Sequence, residues 1–261
     1  MMEQQQTKAI LVVSFGTSHA DTREKNIDRI EADISVAFPD YRIYRAWTSK
    51  MILKKLKNRD GIVIDNVKEA LERMESDGIR ELIVQPTHVM NGIENELMTA
   101  QVRAFDGHFD EIRLGAPLLT TEQDSREAIA ALEQEWKTLP ENEALVLMGH
   151  GTEHYANSIY AALDYMMKDM GHENMFLGTV EAYPTLEALI RRMKKEKPVK
   201  VHLAPFMIVA GDHAKNDMSG EGDSWAARFS EEGFDVECHL KGLGEYPQIR
   251  DMFVRHVREA V

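Results

Sequence analysis

Two stretches decide the fold of this 261-residue chain: Ala9–Arg23, AILVVSFGTSHADTR, and Ala144–Tyr155, ALVLMGHGTEHY. Each is a short, continuous apolar run that stops at a Gly-Thr turn and gives way to a polar stretch, as a buried parallel strand does when it feeds a helix. Phe15-Gly16-Thr17-Ser18-His19 in the first stretch stands where His150-Gly151-Thr152-Glu153-His154 stands in the second. Outward from these anchors the likeness continues. Pro86 with Gly92 matches Pro205 with Gly211, and Leu114-Gly115-Ala116-Pro117 matches, more weakly, Leu243-Gly244-Glu245-Tyr246-Pro247. Well-spaced matches in the same order imply an internal repeat of roughly 120–135 residues.

The rest of the chain alternates in the same way. Ala9–Ser14, Arg42–Ala46, Glu81–Gln85 and Glu111–Leu114 read as strands in the first half, and Ala144–Met148, Met175–Val180, Val199–Ala204 and Asp235–His239 in the second. Between them the spacing predicts helices over Asp21–Phe38, Asn66–Asp77, Ile93–Phe105, Thr121–Lys137, His154–Met170, Thr185–Lys195 and Tyr246–Ala260. Thr121 followed by Asp124 resembles a capping box. The expected fold is α/β: two similar lobes with central parallel sheets and flanking helices. The lobes span 1–137 and 144–261, joined through the acidic, proline-containing Lys137–Glu143, KTLPENE.

Composition narrows the function. A net charge of -13 argues against nucleic acid as a partner, because phosphate binding depends on Lys and Arg. A single cysteine, Cys238, excludes internal disulfides, a Cys-based zinc site and a Cys-ligated iron–sulfur cluster within the chain. The apolar run after MMEQQQTK is too short for a signal-peptide core, and no stretch approaches the roughly eighteen apolar residues of a membrane span. A cytoplasmic protein without a membrane partner is expected. Homo-oligomer formation is compatible with the sequence.

In an open parallel sheet, ligands bind beyond the carboxyl ends of the strands. That rule selects three residues from ten histidines and many acids. His150 follows ALVLM between two glycines, Glu181 directly follows MFLGTV, and His213 lies after VHLAPF in VAGDHAKND. Two imidazoles and a carboxylate form a borderline donor set, suited to Co2+, Ni2+, Fe2+ or Zn2+. The same groups also suit proton abstraction near neutral pH. Aligned on the repeat, Phe15 takes the place of His150 and Glu94 that of His213, so the imidazoles concentrate in the second half. His19 and His154 begin helices and read as structural, His202 sits inside a strand, and His88, His108, His172, His239 and His256 show no convergent partners. Met90, Met98, Met148, Met166, Met167, Met170, Met207 and Met218 read either as the lining of an adaptable apolar cleft or as core, the latter for Met166 and Met170. No dinucleotide G-x-G-x-x-G, nucleotide P-loop or G-x-S-x-G elbow is present.

At these residues the sequence resembles the anaerobic-pathway sirohydrochlorin cobaltochelatases, members of the class II tetrapyrrole chelatases that include ferrochelatase. The likeness runs from Lys8 to Val261 and is carried by AILVVSFGTSHADTR, QPTHVMNGIENELM, LMGHGTEHYANSIY, GTVEAYP and VAGDHAKNDM. It implies a chelatase-like fold of two pseudo-two-fold related lobes with the tetrapyrrole between them. It implies that His150 and His213 are metal-binding and catalytic, that Glu181 is the carboxylate ligand, and that Glu94 is a further functional acid. The implied reaction inserts Co2+ into sirohydrochlorin with release of two protons, early in oxygen-independent cobalamin synthesis. Co2+ is then a substrate, with Ni2+ or Fe2+ as alternatives, and no tightly bound cofactor is expected. Some members are exported and bind haem, and others carry an iron–sulfur segment; neither property is carried over. A noncatalytic metal or tetrapyrrole carrier is the alternative of a different class. Since sirohydrochlorin is a polycarboxylate, basic residues must face it, and Arg45, Lys50, Lys54 and Lys55 are the candidates for substrate binding.

Overall fold

The computed structural model describes residues 7–261; residues 1–6, part of the stretch read against a signal segment, lie outside it. Among the described residues, eight strands form two four-stranded parallel sheets. The first comprises β1 (Lys8–Ser14), β2 (Arg42–Trp47), β3 (Glu81–Pro86) and β4 (Glu111–Leu114) in the order β2-β1-β3-β4. The second comprises β5 (Glu143–Gly149), β6 (Met175–Thr179), β7 (Lys200–Pro205) and β8 (Asp235–Cys238) in the order β6-β5-β7-β8. The two orders are the same, and β1 and β5, which carry the stretches quoted above, are inner strands.

Burial explains why those runs are apolar without alternation. Ile10, Leu11, Val12 and Val13 of β1, and Leu145, Val146, Leu147 and Met148 of β5, are all fully buried, since helices cover both faces of a parallel sheet. Each such side chain contributes about 1.5–3 kcal/mol relative to exposure.

The helices are α1 (Ala20–Lys25), α2 (Ile27–Ala37), α3 (Lys50–Asp60), α4 (Val67–Ser76), α5 (Ile93–Arg103), α6 (Glu122–Glu135), α7 (Ser158–Asp169), α8 (Leu186–Glu196), α9 (Trp225–Glu231) and α10 (Pro247–Ala260). Three differ from expectation. The single helix read over Asp21–Phe38 is two, broken at Asn26, whose side-chain amide donates to the Thr22 carbonyl at 2.8 Å and offers the backbone an alternative to the helical ladder. Helix α3 was not anticipated, because only Ile52 and Leu56 of its sequence KMILKKLKNRD are buried, a stripe too narrow to read as amphipathic. Helix α9 was also not anticipated; it is a seven-residue element capped by the Ser224 hydroxyl.

The lobe boundaries also shift. The compact units are one that runs to Thr120 and takes in Ile249–Val261, and one from Thr121 to Gln248. The expected division into 1–137 and 144–261 therefore misassigns two helices. Helix α6 packs against α7 of the second unit. Helix α10 belongs to the first: it buries Ile249, Met252, Phe253 and Val257, while Arg250 pairs with Asp33 at 2.5 Å and His256 Nδ1 lies 3.1 Å from the Ala116 carbonyl. A proline-containing linker shows where a chain can turn, and only packing shows which unit each flanking helix joins. No helix among the described residues is long and apolar enough to cross a membrane.

Candidate active site

The second unit brings two of the predicted residues face to face. His150 leaves the end of β5, and His213 leaves the loop after β7, where a π-helical turn, Ala214–Met218, begins. Their Nε2 atoms are 3.1 Å apart and their rings cross edge to face at 87°. Both rings are partly exposed.

The backbone around His150 requires the glycines on both sides. A Cβ on Gly149 would lie 2.4 Å from the Tyr160 ring, and Gly151 adopts a φ of +86° with no room for a Cβ beside the Ala182 backbone nitrogen. The tight turn lets the Glu181 backbone N–H donate to the His150 carbonyl at 3.0 Å, tying the ends of β5 and β6 together. Under the loop lies Tyr160, a buried hydroxyl pushed up to about 12 by desolvation, against the opposing effect of the Gly151 and His150 backbone.

The repeat is visible in the same turns. His19 N–H donates to the Thr17 hydroxyl at 3.3 Å, as His154 N–H does to Thr152 at 3.2 Å. Ser49 N–H donates to the Phe15 carbonyl as Glu181 does to His150. Structurally, then, Phe15 corresponds to His150 and Ser49 to Glu181, and the first unit has no histidine or glutamate at those two positions.

Each histidine is anchored through its other nitrogen. His150 Nδ1 is 2.8 Å from the Gly151 carbonyl, and since a carbonyl oxygen only accepts, Nδ1 carries the proton. His213 Nδ1 is 2.5 Å from the Asp217 carboxylate, one turn along, and carries the proton for the same reason. The two Nε2 atoms, 3.1 Å apart, are therefore the ring nitrogens left to take an ion or a proton. Sequence reasoning missed Asp217; its signal was the H-x-x-x-D spacing of a helical i, i+4 pair.

Glu181 sits differently from expectation. Its carboxylate is 3.7 Å from His150 Nδ1, on the side away from His213, so the three predicted ligands do not close into one shell. Among the described residues, the group of three His, Cys, Asp or Glu side chains whose ligand atoms all fall within 4.8 Å of one another is His202, Glu237 and His239. That corrects the reading of His239 as lacking convergent partners: its Nε2 is 3.0 Å from His202 Nδ1. His108 likewise meets Glu75 at 3.1 Å. His154 is structural as expected, its Nδ1 accepting from the Ala156 N–H at 3.2 Å to cap a short 3-10 turn.

Glu94 and the four basic candidates belong to the first unit. Glu94 is the second residue of α5, half-buried, where a carboxylate is favoured by the helix dipole. Arg45 is not open to substrate as expected: its Nε bonds Glu31 at 2.8 and 3.0 Å, and its Nη2 bonds Glu31 and Asp28. An arginine within β2, beside a helix that carries two acids, is satisfied internally. Lys50, Lys54 and Lys55 are exposed on α3, and with Lys57 and Arg59 they make that helix strongly basic within an acidic chain. The methionines divide, since Met98, Met148, Met167 and Met218 are fully buried core residues and line no cleft.

The fold is that of metal chelatases. The structure titled SirB from Bacillus subtilis with Fe3+ superposes over 97% of this chain and 95% of its own, with a TM-score of 0.66 at 13% identity. CbiX, described as the terminal enzyme for biosynthesis of siroheme in denitrifying bacteria, covers 97% of this chain and all of its own with a TM-score of 0.58 at 16% identity. Residues 8–261 match the family described as cobalt chelatase (CbiK), and the chain belongs to that family. It is 44% identical over 255 residues to the sirohydrochlorin cobaltochelatase of Salmonella typhimurium, covering 97% of this chain and 96% of that one. It is 30% identical over 261 residues to the sirohydrochlorin cobaltochelatase CbiKC of Nitratidesulfovibrio vulgaris, covering 97% and 90%.

Proposed function

We propose that the chain is a sirohydrochlorin cobaltochelatase, with His150 and His213 as the residues that receive Co2+ and accept the pyrrole protons. The observation that carries the site assignment is the pair of Nε2 atoms 3.1 Å apart, each ring fixed by an anchor on its other nitrogen. At this distance the two nitrogens can share a proton or, each with its lone pair, hold one ion beside them. The spacing is close to the edge of a tetrahedron about a first-row divalent ion with nitrogen ligands at about 2.0–2.1 Å, an edge of about 3.3 Å.

Insertion needs two things of the protein. It must deliver an incompletely coordinated ion, and it must take up the two protons that leave the pyrrole nitrogens. Two imidazoles at the surface of a strand-end loop give an open site with exchangeable ligands, whereas four protein ligands would hold the ion too tightly. As the ion passes to the ring nitrogens, the vacated Nε2 lone pairs are the nearest bases. Asp217 holds the Nδ1 proton and the orientation of His213 while its Nε2 takes up a pyrrole proton. Glu181, half-exposed beside His150, supplies a carboxylate to the ion or to its water on a change of rotamer. Glu94 is a second proton acceptor within this reading, and Lys50, Lys54 and Lys55 attract the substrate's carboxylates. The reaction is assigned to the cytoplasm, without nucleic-acid partners.

The test follows the absorbance of sirohydrochlorin after addition of Co2+ and catalytic protein. Multiple turnovers are expected, with His150→Ala and His213→Ala each lowering the rate by about 10²–10⁴-fold. Stoichiometric binding without turnover would instead establish a carrier. Parallel assays with Ni2+ and Fe2+ decide the metal, because two imidazoles and a carboxylate do not discriminate among these ions.

A further inference from the structure

The second unit holds another group of imidazoles and carboxylates, far from the pair just described. Glu143 opens β5 and His150 follows its end, so the seven-residue strand separates them by on the order of 20 Å. Beside Glu143 on the sheet, His202 of β7 is in register with Glu237 of β8, and His239 follows two residues later on the same face. The opposite face of these strands carries Val201, Leu203, Val236 and Cys238 into the core. The alternation V-H-L against V-E-C-H thus sorts the imidazoles and the carboxylate to one side and leaves the thiol on the other.

We propose that His202 Nδ1, His239 Nε2 and the Glu237 carboxylate form a second binding site for a divalent transition-metal ion such as Zn2+ or Co2+. Their separations are 3.0 Å between the two nitrogens, 3.9 Å from His202 Nδ1 to Glu237 Oε2 and 3.8 Å from His239 Nε2 to Glu237 Oε1. These bracket the edge of about 3.3 Å expected for ligands around one such ion. His202 is prepared for the role. Its Nε2 is 2.6 Å from Glu143 Oε2, so a carboxylate holds the proton on Nε2 and turns the Nδ1 lone pair toward the group, the arrangement that orients histidines at metal centres. Glu143 is therefore a positioning residue. Trp136 packs beside the two imidazoles, its ring centroid 5.7 Å from that of His202 and 4.8 Å from that of His239. Lys200 bonds Glu237 Oε2 at 3.0 Å and leaves Oε1 to the ion.

Without an ion, His239 Nε2–H donates to His202 Nδ1. On binding, His239 moves its proton to Nδ1 and the ion takes its place, so no net proton is released. The ion joins β8, the short edge strand, to β7, and stabilises the unit by mass action. This second site does not depend on the insertion mechanism, and its test is separable from it.

Equilibrium dialysis of the tag-free chain against Zn2+ should find two ions per chain. His150→Ala/His213→Ala should retain one, and adding Glu237→Gln/His239→Ala should remove it. Glu237→Gln/His239→Ala alone should bind one ion, keep its circular dichroism and chelatase rate, and lose the part of the Zn2+-dependent rise in melting temperature that His150→Ala/His213→Ala retains. Both changes lie at the end of the edge strand β8, on the face opposite the core side chains Val236 and Cys238, so the fold tolerates them. The proposal is overturned if His150→Ala/His213→Ala binds no ion, or if the added pair of substitutions leaves its binding unchanged.

Discussion

At the scale of single residues, Asp217 tests how far the paired imidazoles depend on their anchors. Its carboxylate fixes both the tautomer and the orientation of the His213 ring. Asp217→Asn keeps the size and removes the charge, and a 10–100-fold loss of Co2+ affinity or insertion rate is expected, measured by titration and by the sirohydrochlorin assay. Gly151 tests the loop. A side chain there meets both a left-handed φ of +86° and backbone at 2.9 Å, so Gly151→Ala is expected to destabilise the chain by about 1–3 kcal/mol, read from the urea midpoint. Both changes act on His150 and His213 without deleting either ring.

At the scale of elements, helix caps and helix charge make separate claims. Thr121 and Asp124 form a full capping box at the start of α6: Thr121 N–H donates to the Asp124 carboxylate at 2.7 Å, and Asp124 N–H donates to the Thr121 hydroxyl at 3.1 Å. Thr121→Ala removes one half of it and is expected to cost about 1 kcal/mol in chemical denaturation, up to about 2 because Asp124 is buried. That box was legible as T-x-x-D. The break at Asn26 and the existence of α3 were not, since a single side-chain amide ends α1 and two buried residues suffice to hold α3. Short helices owe their stability to what they pack on, which no local pattern contains.

At the scale of the whole molecule, the charge of -13 has to coexist with a polyanionic substrate. The basic run on α3 offers the local exception. Lys50→Gln/Lys54→Gln/Lys55→Gln should raise KM for sirohydrochlorin several-fold at low ionic strength, with kcat little changed. The difference from the unmodified chain should shrink as salt screens the exposed charges beyond about 10 Å at 0.1 M. A KM that does not depend on these lysines would remove α3 from the substrate's path. Arg45 cannot share the role, because Glu31 and Asp28 already neutralise it.

Sequence alone determined the eight strands, the two parallel sheets, the repeat and the pair His150 and His213. Continuous apolar runs identify buried parallel strands, and the ends of such strands are where a sheet exposes side chains to ligands. Only the tertiary structure decided which unit α6 and α10 join, that Glu181 faces the Nδ1 side of His150, that Asp217 anchors His213, and that His202, Glu237 and His239 converge. The physical reason is common to all four. Local patterning fixes which face of a strand or helix a side chain occupies, whereas strand register, helix packing and rotamer fix what it meets there.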